Sequence, residues 1–588
     1  MYHERTWDSH GRITPVKNAD IATVFENIAD LLELKGENRF KIRAYARAAE
    51  VIRHLPEEME LMHEEGKDFK DVAGIGDAIA AKSMELITTG RLRFYEELKA
   101  RFPEGIINLM DIPGIGPKTA YKLATELGVG TVDQLETAIR DGSVARLERM
   151  GEKTAANILH AIEAFRRKDR RIPLGEALPV VEEVLSELRT LPGVLNLTPA
   201  GSLRRFKETV GDIDLMGTAD DPGAVIRAFV ALPQVRDVLS QGPTKASVIL
   251  PKGLQADLRM VEHQDFGSLL QHFTGSKEHN VALRTRSQKQ GLSLNEYGIT
   301  NVNTGRTEKF TDEESFYRYL GLQYIPPELR EDMGEIALAE KNALPALIEV
   351  RDIKGDFHVH TTGSDGIDTI EDMAAAAAAL RCEYLAITDH SSGRNIGSGR
   401  KIDRIRQQTA MISRLNNSSS GIYLLNGVEV DIMADGSLDL PDDVLAELDI
   451  VIASVHSSFM QSREVMTRRI IGAIENPNVD MIAHPTCRKI GEREPVDVDL
   501  EAVYSAAARH GKALEINAMP DRLDLKDLHV YRARELGVML AIGTDAHAVS
   551  HLGLMRFGVG VARRGWCRPD NILNTRPLNE VLSFLRRR

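Results

Sequence analysis

Asp212 and Asp214 stand one residue apart in ETVGDIDLM (208–216), a stretch whose other residues read as a buried strand. A carboxylate buried there without a partner is costly. Side chains two apart on a strand share a face, so the two acids project together and repel unless a cation lies between them. A divalent metal supplies that cation, and a third carboxylate completes a two-metal site. The strand-like run QADLRMV (255–261) offers Asp257 as the third. Spacing alone leaves equal room for a solvated Asp-x-Asp at a sheet edge.

A second group of candidate ligands lies in the C-terminal half. HVHTTGSDG (358–366) places His358 and His360 on one face of a strand end, with Asp365 shortly after. Further residues end short apolar runs: His390 after YLAITD, Glu429 in GVEV, His456 in IASVHSS, His484 in MIAHPT, and Asp545 with His547 in AIGTDAH. One histidine at a strand end is commonly a satisfied core residue. Many, each closing its own strand, converge on the face of a β/α barrel where active sites form. Imidazoles and carboxylates without thiolates suit zinc or manganese, and more than one ion.

The elements that must position these groups fall into three regions. Residues 19–170 alternate amphipathic helical stretches with glycine turns and read as all-α. VAGIGDAIAAKSMELI (72–87) matches IPGIGPKTAYKLATEL (112–127), and MGEKTAANILHAI (150–162) is a fainter third copy. In the first two, Gly74-Ile-Gly76 and Gly114-Ile-Gly116 open a helix, whose N-terminal N–H groups and dipole form a phosphate cradle. From about 174 strands mix with helices. From about 355 the apolar runs suit parallel strands buried on both faces.

With 588 residues the chain must hold several domains. No apolar run is long enough to span a membrane and the start lacks a secretory signal, so a soluble, cytoplasmic protein without membrane partners is expected. Cys382, Cys487 and Cys567 lie far apart without CxxC spacing, which points to free thiols. A net charge of -13 does not advertise nucleic-acid binding, although carboxylates gathered around metal ions are neutralised by them and FRRKDRRIP (165–173) is locally basic.

GSLRRFKETVGDIDL (201–215) resembles the nucleotidyltransferase signature of the X family of DNA polymerases, and the likeness extends through HFTGSKEHNVALR (272–284) and GLSLNEYG (291–298) and back through the helix-hairpin-helix repeats. It implies Asp212, Asp214 and Asp257 as ligands of magnesium or manganese, with Asp257 nearest the primer hydroxyl. It implies Arg171, Gly201, Ser202, Arg205 and Gly211 as contacts to the incoming triphosphate, with His272, Phe273 and Gly275 at the sugar. Asn280 and Arg284 would lie near the nascent pair and template. Two positions depart from the pattern: Phe206 replaces a usual glycine, so a crowded phosphate loop and weaker synthesis are expected, and His272 stands where eukaryotic members carry tyrosine. Lys82 aligns with the Schiff-base lysine of the family's lyase domain, Lys41 and Tyr45 with DNA contacts beside it, while Ala78 replaces a phosphate-binding lysine.

The histidine motifs are similar to those of the PHP (polymerase and histidinol phosphatase) family, a phosphoesterase barrel binding up to three ions, here manganese or zinc. The two resemblances together imply a multidomain bacterial repair enzyme: a gap-filling polymerase joined to a 3′–5′ exonuclease that also cleaves at abasic sites, acting on gapped or nicked duplex DNA and dNTPs as a monomer. The expected order is a lyase-like helical domain (1–95), a fingers-like helical domain (96–172), an α+β palm (173–264), a thumb (265–330), a helical linker (331–354) and a distorted β/α barrel (355–588). Alternatives are a nuclease whose polymerase site is silenced, a non-catalytic DNA-end clamp, and a small-molecule monoesterase.

Overall fold

The structure, a computed structural model, describes residues 18–585 apart from 54, 56–58, 65, 73–74, 104, 111, 113–114, 149, 153, 160–161, 163–170, 392–397 and 419–420. It divides into two compact units, Met1–Arg171 with Val281–Ser293, and Ile172–Asn280 with Leu294–Arg588.

The N-terminal part of the first unit is helical, as the periodicity requires. In the helix Asn18–Leu34 the buried residues Ile21, Val24, Phe25, Ile28, Leu31 and Leu32 recur at three- and four-residue spacing and face one core. The repeats fold alike. Gly76 and Gly116 are extended N-caps of the helices Asp77–Thr89 and Pro117–Leu127, which end at Gly90 and Gly128 in the left-handed region, φ 71° and 65°. The carbonyl of each N-cap glycine accepts from the third and fourth following N–H, and Gly151 in the faint third copy does the same with Thr154 and Ala155.

In the second unit, the helix Leu174–Arg189 precedes a five-stranded sheet ordered Val194–Pro199, Ile213–Ala219, Gln255–Met260, Lys245–Ile249 and Asp237–Gln241. Its two central neighbours, Ile213–Ala219 and Gln255–Met260, run parallel and the other pairs antiparallel. Alternation buries Ala256, Leu258 and Met260 on one face and sends Gln255, Asp257 and Arg259 to the other. Met216 packs with Phe266, Leu269 and Leu270 of the helix Phe266–Thr274.

Seven parallel strands follow in chain order: Gly355–Asp356, Tyr384–Ile387, Tyr423–Asp431, Ile450–Ser454, Met481–Ile482, Ala513–Asn517 and Met539–Gly543. The parallel bridge Val359–Ala546, with the His360 N–H donating to the Ala546 carbonyl at 2.8 Å, draws the first and last strands together into a nearly closed barrel. One apolar cluster runs from the sheet (Val210, Ile213, Leu258) into the barrel (Val428, Ile516, Phe557). The approach is close enough that a Cβ on Gly175 would lie 2.1 Å from Pro520 Cβ.

The stretch expected to be a helical linker is helical only at Glu335–Glu340, with a 3-10 turn at Val350–Asp352. Its residue Glu335 is fully buried, with its carboxylate 2.6 Å from His279 Nδ1. No helix among the described residues is long and apolar enough to cross a membrane.

Candidate metal centres and phosphate loop

Asp214 and Asp257 are register partners across the parallel strands. Asp212, expected on the same strand, sits just before it, because the strand begins at Ile213. It is exposed, whereas Asp214 is half-buried. Burial, then the charges of Asp212 and Asp257, push the Asp214 carboxyl up to about 7, with Arg259 and Lys245 opposing. The Ser247 hydroxyl donates to Asp257 Oδ1. Three carboxylates whose repulsion raises the proton affinity of the central one fit a divalent cation.

The loop expected to bind phosphate begins against Asp214. Gly201 has φ 59°, and a Cβ there would lie 3.1 Å from Asp214 Oδ2. Gly201–Arg204 form one helical turn, and Ser202 accepts the Lys207 N–H at its carbonyl. Arg204 donates to Thr274 Oγ1 and Glu313 Oε2, each at 2.6 Å, so it braces the thumb. Arg205 donates to the Thr274 carbonyl at 2.5 Å and to Glu331 Oε1 at 3.1 Å, and a Cβ on Gly275 would lie 3.1 Å from Arg205 Nη1. Phe206 keeps φ 58°, the backbone a glycine takes readily. Its ring does not fill the phosphate loop as expected. It lies over Gly560, with its centroid 5.9 Å from that of Phe557.

The remaining palm and thumb positions divide. Arg259 stacks over the Phe273 ring at 4.6 Å, and His272 meets that ring edge-on. Asn280 is buried, donating to the His272 carbonyl at 2.8 Å and accepting from Gln271 at 2.9 Å, which ties it to the helix Phe266–Thr274. Arg284 is exposed, Arg171 directly precedes the strand Ile172–Pro173, and Gly211 directly precedes Asp212.

The barrel gathers every ligand candidate assigned to it. His358 Nε2 and His360 Nε2 are 3.0 Å apart, and Asp545 Oδ1 lies 3.5 Å from the first and 3.1 Å from the second. Glu429 reaches His390 Nδ1 at 2.8 Å, His456 Nε2 at 3.3 Å and His484 Nε2 at 3.0 Å. Asp365 lies 3.5 Å from His390 Nε2, 3.4 Å from His547 Nε2 and 3.7 Å from His360 Nδ1. Three sets of donors close enough to share an ion result: His358, His360 and Asp545; His390, Glu429 and His456; and His360, Asp365, His390 and His547.

The electrostatics match. Burial alone would lower His390 and His456, yet Glu429 with Asp365 or Asp431 raises them to about 10 and about 9. Burial and the nearby Arg522 charge lower His484 to about 3. His360 Nδ1 and His484 Nδ1 are buried without a hydrogen-bond partner among the described residues. Orphaned lone pairs inside a mixed imidazole and carboxylate cluster fit cations.

Sequence reasoning missed the groups that orient these ligands. Glu515 Oε1 lies 2.6 Å from His358 Nδ1, and its Oε2 accepts the His484 N–H at 2.6 Å. Asp431 lies 2.7 Å from His456 Nδ1, and Asn517 donates to Asp545 at 3.1 Å. Arg522 Nε is 3.5 Å from Asp545 Oδ2. Glu515 and Asp431 carried a signal: each is an acid inside an apolar strand, the feature that singled out Asp214. The three cysteines are free thiols; burial pushes Cys487 up to about 12.

In the N-terminal unit, Lys82 Nζ lies 5.1 Å from the Phe94 ring and 5.9 Å from that of Tyr45, and Lys41 Nζ is 5.7 Å from Phe94. Lys41, Tyr45 and Lys82 therefore converge. Gly76 and Gly116 present uncapped helix ends, without a side-chain cap, while Gly74 and Gly114 lie outside the described residues.

An acid-bearing α+β palm beside a histidine-lined barrel, preceded by tandem helix-hairpin-helix elements, defines a nucleotidyltransferase joined to a metallophosphoesterase. Residues 16–92 match the helix-hairpin-helix domain family, 106–164 the SAM-like helix-hairpin-helix tandem, 269–331 the DNA polymerase beta thumb and 356–518 the PHP domain. The "DNA polymerase/3'-5' exonuclease PolX" of Bacillus subtilis (strain 168) is 40% identical over 570 residues, 97% of this chain and 99% of that protein. The chain belongs to the PolX family, bacterial family X DNA polymerases with a PHP domain. A probable phosphatase of Thermoanaerobacter sp. (strain X514) is 34% identical over 234 residues, 37% of this chain and 89% of that protein. Another, of Shewanella sediminis (strain HAW-EB3), is 30% identical over 243 residues, 40% of this chain and 94% of that protein.

Proposed function

We propose that this chain fills short gaps in duplex DNA from the palm and trims 3′ ends, including ends at abasic sites, from the barrel. The observation carrying the reading is the pairing of Asp214 with Asp257 in register beside a separate nest of imidazoles around Glu429. Magnesium or manganese in the palm, and manganese or zinc at up to three positions in the barrel, would activate the attacking oxygen and neutralise charge on the leaving group. Asp212, Asp214 and Asp257 would hold the palm ions; His358, His360, Asp365, His390, Glu429, His456, His484, Asp545 and His547 those of the barrel.

In the palm, the primer 3′ oxygen attacks the α-phosphorus and pyrophosphate departs. Ser247 keeps Asp257 aimed by donating to its carboxylate. Gly201 lets the phosphate loop pass close to Asp214, and Arg205, its Nε and Nη1 held by Glu331 and the Thr274 carbonyl, would meet the triphosphate through its remaining N–H groups. Phe273, steadied by Arg259, forms the wall for the sugar with His272 and Gly275. In the barrel, water cleaves the phosphodiester, while Glu515 and Asp431 fix the His358 and His456 rings through their Nδ1 atoms. Gly76 and Gly116, with their repeats, grip the DNA backbone without reading sequence. Lys82, beside the stacked rings of Tyr45 and Phe94, is placed to attack the aldehyde of a 5′ abasic end. The working form is a monomer.

A labelled, gapped duplex incubated with manganese, with and without dNTPs, tests the reading. Asp214→Asn should abolish extension and retain 3′ trimming, and Glu429→Gln should do the reverse. Extension surviving Asp214→Asn, or trimming surviving Glu429→Gln, overturns the assignment.

A further inference from the structure

Arg205, proposed above as a triphosphate contact, is not held by the palm alone. Its backbone carbonyl accepts from Arg564 Nη1 at 2.7 Å, and the same nitrogen donates to Glu331 Oε1 at 3.0 Å, the atom that accepts from Arg205 Nε. Arg564 belongs to the helix Met555–Arg564 on the outside of the barrel, only 6% exposed. The other side of its guanidinium is fixed by Asp527 Oδ2, 2.7 Å from Nε and 2.6 Å from Nη2. Four of the five N–H donors of the planar fork are thus committed, and one half-buried carboxylate oxygen is shared between two arginines from regions far apart in sequence. Although burial raises its proton affinity, Glu331 is held below the usual carboxylate range by Arg564, then Arg205 and Lys207.

The next residue reinforces the link. Phe206 places its ring where a Cβ on Gly560 would fall 2.1 Å from Phe206 Cε1, and Gly560 lies on the same helix as Arg564. Backbone and side chain of two consecutive phosphate-loop residues are therefore seated on one barrel helix.

We propose that Arg564, a barrel residue, is a positioning residue for the palm: through the Arg205 carbonyl and Glu331 it holds the Arg205 fork in the orientation that receives the nucleotide triphosphate. This rests on the reading of Arg205 as a triphosphate contact. The barrel thereby contributes to synthesis independently of its own hydrolytic centre.

Steady-state single-nucleotide gap filling by full-length protein tests it, with the KM for dNTP separated from kcat. Arg564→Ala should raise KM roughly tenfold, the scale of a lost charge-assisted contact, with kcat and 3′ trimming within about twofold of wild type. Combining Arg564→Ala with Arg205→Ala should add nothing to the KM of Arg205→Ala, since the first acts only through the second. Arg556→Ala, which removes a peripheral barrel-to-palm ion pair with Glu182, should leave KM unchanged. If Arg564→Ala fails to fold, shown by lost trimming, Phe206→Gly decides. Glycine accepts φ 58° while removing the ring from Gly560, and a KM raised several-fold is expected. An unchanged KM in Arg205→Ala overturns the reading of Arg205. A raised KM there with an unchanged KM in Arg564→Ala, or in Phe206→Gly where that variant decides, overturns the positioning role. Additive effects in the double variant, or an equal KM rise in Arg556→Ala, also overturn it.

Discussion

Asp214 lies opposite Asp257 on the neighbouring parallel strand, and burial with the charges of Asp212 and Asp257 lifts its carboxyl from 3.8 to about 7. Between those values the folded protein keeps a proton that the unfolded chain has released. Folding is therefore progressively disfavoured as pH rises through that window, and the loss is complete above about 7. Denaturation of wild type and Asp214→Asn in metal-free buffer should show wild type losing ground between about pH 4 and pH 7, then holding level. Magnesium at about pH 8 should recover the difference in wild type alone. A pH-independent difference refutes the carboxylate repulsion.

Glu515 touches no proposed ion position, yet it fixes His358 and the His484 backbone. Glu515→Gln preserves shape and removes the charge that favours the His358 tautomer. Manganese affinity of the barrel, followed by calorimetry of the metal-free protein, should fall roughly 10- to 100-fold. Undiminished affinity would deny Glu515 that role.

Lys82→Ala should abolish the adduct that borohydride traps on a 5′ abasic end. Trapping that persists places the nucleophile elsewhere. Gap filling on an ordinary 5′ phosphate should continue in this variant, because the lysine has no part in nucleotide transfer.

Gly116 has φ -79° and ψ 170°, and an added Cβ there meets nothing within 4 Å. Gly116→Asp is therefore sterically free and supplies a better N-cap, so thermal stability should hold or rise slightly. Its charge would face the phosphate expected at that helix end. DNA affinity should drop about fivefold at low salt, and the deficit should shrink as salt is added. Equal affinity at every salt concentration would remove this turn from the DNA contact.

Most of the histidines and acids clustered in the barrel were legible because they follow short apolar runs, and a parallel barrel gathers strand ends at one mouth. His358, Glu429 and Asp545 could be found without knowing which strands adjoin. The N-terminal repeats were legible for a similarly local reason: glycine, a helix of fixed length, then glycine again. Contacts between distant segments were not. Nothing near Arg205 announces that its partner is Glu331, 126 positions later, nor that this acid, in a stretch expected to be a helical linker, is also the counter-charge of the buried Arg564. The motif gives the position of Asn280, whereas its hydrogen bonds to Gln271 and the His272 carbonyl depend on how the helix Phe266–Thr274 returns.

The seat of Phe206 on Gly560 also bears on how this protein can be cut. A fragment ending after residue 354, before the barrel, would expose that ring and leave Glu331 without one of its two arginines, so a sluggish truncated polymerase would report a damaged nucleotide loop rather than the intrinsic capacity of the catalytic core. A point substitution at Glu429, expected to stop hydrolysis, leaves the splint in place, which makes it the cleaner dissection.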